Sequence, residues 1–332
     1  MGDILHSLPA VTALRQAHPE WFIGWAIEPQ WRGLFCANGC ERGTPGMPLV
    51  DQIHIVPAKQ WARSPFRSST WRDMRRVRRE LRAMRYDVAV DVQGAVRSAM
   101  FARWAKTGRV IGEAKPREFA ARWLFTEQVT TQGVHVIEQS LEVANAILAE
   151  NLPMTMPLLP RDPAAEARAE ELPQPYVLLS PGAGWGAKRW PASRYGSVAQ
   201  QLSGVGYHVV INSGPAEDYL AREIADSSGG VVRILPLDMA GLIAVTRRAS
   251  VAIAGDTGPL HLACALGVPV VGIFGPTDPA RNGPFHCRSR VLRHPDSVRD
   301  HSRRSQPEPG LLTITPEAVT DAALSLLRES RT

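Results

Sequence analysis

Four turns in this sequence place charged residues and glycines beside strand-like runs, an arrangement suited to binding an anion. The most informative one lies in AGDTGPLHLACALGVPVVGIFGPTDP, residues 254–279, where a buried strand is predicted to end at Asp256. Thr257 and Gly258 then begin a helix, whose N–H groups and dipole favour a phosphate. His261 falls on the first turn of that helix. A ligand contact and a buried structural histidine are equally good interpretations of His261.

The second turn is SPGAGWGAKRWP, residues 180–191, between a predicted strand and a predicted helix. Its glycines, Gly184 among them, allow backbone N–H groups to approach an anion, and Lys188 adds a positive charge. The segment is not a Walker loop, because no Ser or Thr follows Lys188, and it is not a G-x-G-x-x-G motif. It predicts a phosphate loop, with a glycine-rich turn bearing solvated charges as the alternative.

The other two turns contribute carboxylates. Glu217, in NSGPAED (212–218), comes just after a predicted strand, where a carboxylate can bind a ribose diol. Asp3, in the opening MGDILHSLPA, lies at the start of an apolar helix. Asp3 is either the cap of that helix or, if the turn faces a substrate, a general base.

The positive charge of the chain is concentrated in one segment. The formal net charge is +6, and residues 63–85 contain nine arginines against Asp73 and Glu80, a net +7, so the rest of the chain carries −1. A capping box at Thr70 predicts a helix over 70–84. Its apolar face is expected to comprise Trp71, Met74, Val77 or Arg78, Leu81 and Met84. The arginines are either simply solvated or bind an anionic surface. Nucleic acid is disfavoured, because neither interleaved aromatics nor RNA-binding signatures support it.

The composition excludes several other classes of protein. With 332 residues, 44% hydrophobic and 21% charged, the chain is typical of a globular protein of two domains. No signal peptide is recognisable, and glycines and prolines interrupt the longest charge-free run, 257–277, which disfavours a membrane span. Four cysteines are too few for a disulfide scaffold, and Cys36 and Cys40 lack a second ligand pair for zinc. We therefore expect a cytoplasmic protein without a metal.

Strand-like and helix-like patterns alternate along both halves of the chain, which indicates two Rossmann-like domains with a central cleft. Strands are predicted over 22–27, 53–56, 87–91 and 109–112, then over 176–182, 207–214, 231–235, 251–256 and 268–276. Helices are predicted near 4–17, 70–84, 95–105, 117–125 and 136–150. The expected domains are N-terminal 1–152, linker 153–175, C-terminal 176–315 and a last helix, 316–332, whose return to the N-terminal domain is left open.

Four segments resemble glycosyltransferase family 9, the bacterial heptosyltransferases of lipopolysaccharide core synthesis. They are GDILHSLPA, DVQGAVRSA, PGAGWGAKRWP and GDTGPLHLACALGVPVVGIFGPTDP. The likeness spans the chain, and HSLPA is most similar to the type I branch. It implies a GT-B fold of two facing Rossmann-like domains and an inverting transfer of L-glycero-D-manno-heptose from ADP-heptose to the Kdo of Kdo2-lipid A. It also implies no cofactor or obligatory metal, and a peripheral location at the inner face of the inner membrane.

The resemblance also implies a role for each residue that matches a family motif. Asp3 matches the base that takes the proton from the Kdo hydroxyl, and Lys188 matches the lysine that stabilises the departing diphosphate. Glu217 matches the ribose ligand, and Leu237 falls where an apolar side chain lines the adenine. The remaining expected donor contacts are Gly184, Asp256, Thr257, Gly258 and His261. The expected acceptor contacts are Arg63, Arg67, Gln93 and Arg97, and the arginine-rich face would engage the phosphates of lipid A.

The sequence departs from the family pattern in two places. Family members normally have a short hydrophobic strand before the Gly-Asp turn, and this strand is missing before Gly2. Two hypotheses account for this: Met1 is an internal methionine, or the N-terminal sheet is damaged and Asp3 lies on a frayed terminus. In addition, residues 183–187 contain no hydroxyl group, so backbone amides would have to bind the diphosphate.

Other functions stay open at this point. A type II enzyme or another core glycosyltransferase of the family differs only in its acceptor. A catalytically silent protein that binds anionic lipid is the alternative from a different class. A nicotinamide dehydrogenase is disfavoured by the lack of G-x-G-x-x-G. The sequence makes no statement about the oligomeric state.

Overall fold

The computed structural model describes residues 1–214, 218–300 and 304–329 and divides into two compact units. The N-terminal unit comprises His6–Pro160, and the C-terminal unit comprises Met1–Leu5 together with Arg161–Thr332. Both are built from parallel strands that alternate with helices. The α/β class expected from the alternating pattern is therefore confirmed.

The N-terminal unit takes in most of the first helix and the elements up to residue 160. Its helices are α1 (Gly2–Ala17), α2 (Ala58–Arg63), α3 (Ser68–Ala83), α4 (Val96–Trp104) and α5 (Val136–Asn145). Its strands are β1 (Gly24–Ile27), β2 (Gln52–Ile55), β3 (Val88–Asp91), β4 (Arg109–Glu113) and β5 (Glu127–Val129). Single 3-10 turns cover Pro29–Leu34 and Phe119–Leu124.

The C-terminal unit continues the alternation. Its helices are α6 (Pro163–Glu170), α7 (Ala192–Gly204), α8 (Asp218–Ser227), α9 (Met239–Arg248), α10 (Gly258–Ala265), α11 (Pro279–Asn282) and α12 (Pro316–Glu329). Its strands are β6 (Tyr176–Ser180), β7 (His208–Ser213), β8 (Val232–Pro236), β9 (Val251–Gly255), β10 (Val270–Phe274) and β11 (Ser289–Arg293). Helix α12 packs against α7, β10 and β11 of its own unit.

The sheet of the C-terminal unit has the usual doubly wound order. Its six parallel strands run β8-β7-β6-β9-β10-β11, so the direction of winding reverses between β6 and β9. Every residue of β6, β9 and β10 is buried, because helices cover both faces of these apolar strands. Ligands of such sheets bind at the reversal point, beyond the carboxyl ends of the two strands. The residues at the carboxyl ends of β6 and β9 are Ser180 and Gly255.

The N-terminal unit has the same winding with one place unfilled. Strands β1 and β2 form one parallel pair, and β3, β4 and β5 form a separate parallel sheet. In the doubly wound order 3-2-1-4-5-6, β2 and β1 correspond to strands 3 and 2, and β3, β4 and β5 correspond to strands 4, 5 and 6. None of the described strands corresponds to strand 1, which would lie between β1 and β3. Consequently β1 and β3 each have a ladder partner on one side, and most of their residues are half-buried.

A buried hydrogen-bonded group connects β2, α3 and Tyr86, which lies two residues before β3. His54, on β2, is 1% exposed. Its Nδ1 lies 2.7 Å from Glu80 Oε1 on α3, and its Nε2 lies 2.7 Å from the hydroxyl of Tyr86. Burial, followed by the charges of Glu80 and Asp51, raises the pKa of Tyr86 to about 12. A side chain at Gly24 would overlap the Tyr86 hydroxyl, so β1 also lies against this group.

The structure corrects several details of the sequence prediction. Strands β5 and β11 were not predicted, and the helix predicted over 117–125 is a 3-10 turn. The capping box at Thr70 is wrong: α3 begins at Ser68, and the Thr70 hydroxyl is buried and donates to the Ser64 carbonyl. The buried face of α3 comprises Thr70, Val77 and Leu81, and Trp71, beside this face, is 53% exposed instead of facing the core.

Candidate functional site

The start of α10 is positioned by the end of the buried strand β9. Asp256 follows the strand and is itself buried, and Thr257 has an extended backbone and precedes the first helical residue, Gly258. The Thr257 hydroxyl donates to the Gly255 carbonyl and does not cap the helix. The N–H groups of the first turn of a helix have no partner within the helix, so they are suited to an external anion.

Asp256 lies between two cationic or potentially cationic side chains. Lys188 Nζ donates to Asp256 Oδ2 over 2.5 Å, and His261 Nε2 lies 3.2 Å from Asp256 Oδ1. Burial raises the pKa of Asp256, but the hydrogen bonds and charges of His261 and Lys188 outweigh burial and hold this pKa well below its usual range. The carboxylate therefore stays ionised and fixes both partners at the carboxyl end of β9.

Lys188 is delivered by the loop that follows β6, the neighbour of β9. Its ammonium lies 5.0 Å from the centre of the Trp185 ring, within the range of a cation–π contact. Residues 304 and 305 pack against this loop: Ala187 N donates to the Arg304 carbonyl, and a side chain at Gly186 would overlap the backbone of Ser305. Gly184, in contrast, is exposed, with open space where a Cβ would stand. A ligand can therefore reach the backbone at Gly184.

The first residues of the chain lie against the same helix start. A side chain at Gly258 would meet Met1, and a Cβ at Gly2 would come within 3.1 Å of His261 Cδ2. Asp3 is exposed and lies in the first turn of α1, where the Met1 carbonyl accepts hydrogen bonds from residues 4 and 5. Asp3 is thus the second residue of the helix.

The structure therefore brings together most of the predicted donor residues. Lys188 and His261 both contact Asp256, and Thr257 and Gly258 follow Asp256 in the chain. Leu237 is half-buried just after β8, against Gly241, at the same carboxyl edge of the sheet. Glu217 falls outside the described residues. Trp185 and Met1 were not singled out from the sequence, because their contacts with Lys188 and Gly258 depend on tertiary structure.

The predicted acceptor residues occupy two places in the N-terminal unit. Gln93 and Arg97 flank the start of α4, and Arg63 and Arg67 flank the connection from α2 to α3; all four are exposed. The turn at Gln93 is held by the buried Asp91, which accepts hydrogen bonds from Gln93 N, Gly94 N and the Ser98 hydroxyl. Burial raises the pKa of Asp91, although these hydrogen bonds oppose the rise.

The described residues contain neither a metal-binding cluster nor a membrane-spanning helix. In this part of the chain, no cluster of three His, Cys, Asp or Glu side chains could hold a metal ion. None of the helices within it is long and apolar enough to cross a membrane.

A doubly wound sheet with a glycine-rich loop, a lysine and a helix start at its reversal point is typical of proteins that bind nucleotides. Comparison with known proteins narrows this class. The chain belongs to glycosyltransferase family 9 (heptosyltransferase), whose model matches residues 74–310.

Individual relatives agree with the family assignment. Lipopolysaccharide heptosyltransferase 1 of Pseudomonas aeruginosa is 27% identical over 297 residues, which cover 88% of this chain and 80% of the relative. The solved structure of E. coli heptosyltransferase WaaC with ADP gives a TM-score of 0.80 at 25% identity and covers 98% of this chain and 97% of its own. E. coli heptosyltransferase II gives 0.76 at 22% identity, covering 100% and 97%, a likeness that shows the fold alone. The GT-B fold class expected from the sequence is thereby confirmed.

Proposed function

We propose that this protein transfers L-glycero-D-manno-heptose from ADP-heptose to the Kdo of Kdo2-lipid A, with inversion and without a metal, in lipopolysaccharide inner-core synthesis. The observation that carries the proposal is the contact of Lys188, Asp256 and His261 at the start of α10. A relative named lipopolysaccharide heptosyltransferase 1 and a related structure solved with ADP support the same donor chemistry.

The donor end of the reaction requires positive charge beside the leaving group. Breaking the anomeric bond of the donor builds negative charge on the departing ADP, and cationic groups fixed in advance stabilise that charge. An ammonium has three N–H donors, so Lys188 can keep its bond to Asp256 while it donates to a phosphate. The N–H groups of the first turn of α10 and the open backbone at Gly184 supply further donors. The chain itself thus provides the electrostatic stabilisation that the leaving group needs.

The acceptor end requires a base for the attacking hydroxyl. Asp3 is the proposed base, because it is exposed to an incoming hydroxyl while Gly2 lies against His261. As the Kdo oxygen bonds to the anomeric carbon, its proton passes to the Asp3 carboxylate and the pair of electrons in the anomeric bond leaves with ADP. Attack on the face opposite the leaving group inverts the configuration at that carbon.

The acceptor is proposed to be an anionic glycolipid at the inner face of the inner membrane. The exposed positive side chains of the N-terminal unit match the phosphates of such a molecule, because guanidinium groups bind phosphate through paired hydrogen bonds. The proposed acceptor contacts are Arg63, Arg67, Gln93 and Arg97.

Mass spectrometry of two acceptors tests the proposal. The protein is incubated with ADP-heptose and either Kdo2-lipid A or Kdo2-lipid A that already bears one heptose. We expect a gain of one heptose on the first acceptor. A gain on the second acceptor alone would overturn type I in favour of type II. ADP binding without a gain on either acceptor would favour a catalytically silent lipid-binding protein.

A further inference from the structure

The N-terminal unit exposes large aromatic side chains that its core does not use. Phe66 is 96% exposed, Phe119 61% and Trp123 73%, and Trp71 is also largely exposed. Each of these residues has at least one arginine close by in the sequence, and the guanidinium of Arg122 lies 4.9 Å from the centre of the Phe119 ring. Aromatic residues combined with basic ones are typical of protein surfaces that lie at a membrane interface.

These aromatic residues belong to a single layer of the unit. Helix α4 packs between α3 and the 119–124 turn. On one side, Phe101 and Trp104 of α4 join Val77 and Leu81 of α3 in one apolar cluster. On the other side, Ala99 of α4 clusters with apolar residues of the 119–124 turn. The outward sides of α3, α4 and this turn are therefore neighbouring parts of one surface, which we term the arginine–aromatic face.

The aromatic residues of this face gather towards one edge. Helices α3 and α4 return antiparallel to the parallel strands, so both begin at the carboxyl edge of the sheet. Phe66 and Trp71 flank the start of α3. Glu118 lies at the start of α4, where its N–H donates to the Gly94 carbonyl and its carboxylate accepts from Val96 N, and this places the adjoining Phe119 there too. The aromatic groups thus border the proposed acceptor contacts.

The face carries a large positive charge. All nine arginines between residues 63 and 85 are exposed. Among the described residues, Arg76 alone of the nine forms an ion pair, with Asp73 and Glu80. Further exposed cations on α4, just after α4 and after β4 extend the charge; they are Arg97, Arg103, Lys106 and Lys115. A surface of this charge and extent complements a sheet of anionic headgroups better than a single small ligand.

We propose that the arginine–aromatic face docks on an anionic phospholipid bilayer. The aromatic side chains enter the headgroup region and the arginines bind lipid phosphates. This proposal rests on the proposed function and extends it, because an enzyme whose acceptor is anchored in a bilayer has to reach the bilayer surface. Docking would bring the bilayer beside Arg63, Arg67 and Arg97.

Vesicle co-sedimentation of the full chain tests this proposal in the absence of acceptor. We expect binding to vesicles that contain phosphatidylglycerol, little binding to pure phosphatidylcholine, and release by high salt. The double variant F119S/W123S should bind at least tenfold more weakly. The double variant R75Q/R79Q should lose about fivefold for each charge removed. Circular dichroism spectra that match the wild type establish that the variants are folded.

Two matched controls make the test specific. Phe22→Ser removes a half-exposed ring just before β1, at the opposite edge of the sheet, and Arg222→Gln removes an exposed arginine from α8 of the C-terminal unit. Both should bind vesicles like the wild type. Equal losses in the controls, no preference for anionic vesicles, or retained binding in F119S/W123S would each overturn the proposal. A preference for duplex DNA over vesicles, lost in R75Q/R79Q, would also overturn it in favour of nucleic acid.

A soluble acceptor separates this proposal from the proposed function. Heptose transfer to deacylated Kdo2-lipid A does not require a bilayer, so F119S/W123S should keep the wild-type rate on it. Transfer to this acceptor without vesicle binding would overturn the docking proposal and leave the activity in place. Vesicle binding by the wild type without transfer to either acceptor would support docking and contradict the proposed function.

Discussion

The two parallel sheets of this protein follow the same winding but differ in burial. In the C-terminal unit all places of the doubly wound order are filled, and β6, β9 and β10 are buried along their whole lengths. In the N-terminal unit the first place is unfilled by any described strand, and the flanking strands β1 and β3 stay half-buried. A central strand therefore buries its neighbours as well as itself. It also pairs the backbone N–H and C=O groups of two edges that could otherwise pair with another chain.

The charged groups of the two units also differ in burial. In the C-terminal unit Lys188 and His261 converge on one buried carboxylate, which suits a compact anion such as a diphosphate. In the N-terminal unit the arginines are exposed and spread over an entire face, which suits an extended anionic surface. The C-terminal unit therefore suits the binding of one small anion, and the N-terminal unit suits broad electrostatic contact.

Asp3→Asn is the variant with the largest expected effect. Asparagine has the same shape but cannot accept the proton, so the rate of heptose transfer should fall by about 10²–10⁴-fold. ADP binding should be unchanged. Initial rates and calorimetric titration measure the two quantities. Glu20→Gln is the control, since Glu20 is 71% exposed and remote in sequence from the turn. A transfer rate in Asp3→Asn equal to that of the control would remove Asp3 from the reaction.

Matched valine truncations in the two sheets test the difference in burial. Val251, on β9, is fully buried, whereas Val88, on β3, is half-buried. Val251→Ala should lower the free energy of unfolding by about 2 kcal/mol, through lost apolar burial and a cavity. Val88→Ala should cost about 1 kcal/mol or less, because part of that side chain already contacts water. Denaturant unfolding measures both, and equal losses would contradict the account of an open N-terminal edge.

The pH dependence of stability tests the buried carboxylate. Because the folded protein holds the pKa of Asp256 low, its stabilising contribution is complete above the unfolded value of about 3.9 and is lost as the pH falls below it. The free energy of unfolding should decline with acidification more steeply in the wild type than in Asp256→Asn, by up to about 1.4 kcal/mol per pH unit. Asp296→Asn, at an 89% exposed side chain, is the control and should keep the wild-type slope. Parallel slopes in wild type and Asp256→Asn would contradict the ion-paired cluster.

Short-range patterns predicted much of this structure. The turn from β9 into α10 was predictable, because an apolar strand, a Thr-Gly-Pro start and His261 lie within a few residues of one another. The family resemblance implied roles for Lys188 and Asp256, which stay predictions. The structure brings these two residues into contact, although 68 positions separate them in the sequence.

Features that depend on distant contacts or weak patterns were not predictable. Strand β11, in the sequence SRVLR, is only partly buried and has arginines on both sides, so its pattern is weak. Trp71 was assigned to the core because it is apolar, but the polar Thr70 beside it occupies the buried face of α3. The contact between Trp185 and Lys188 arises from how the loop folds back on itself.

Calorimetric titration of ADP tests the central claim, that the cluster at the start of α10 binds the diphosphate of the donor. Lys188→Met keeps the length of the side chain and removes its charge, so ADP affinity should fall at least tenfold, as expected for the loss of a charge-assisted hydrogen bond. Lys106→Met, at an exposed lysine of the N-terminal unit, should bind ADP like the wild type. ADP affinity in Lys188→Met equal to that of Lys106→Met would place the diphosphate elsewhere and contradict the account.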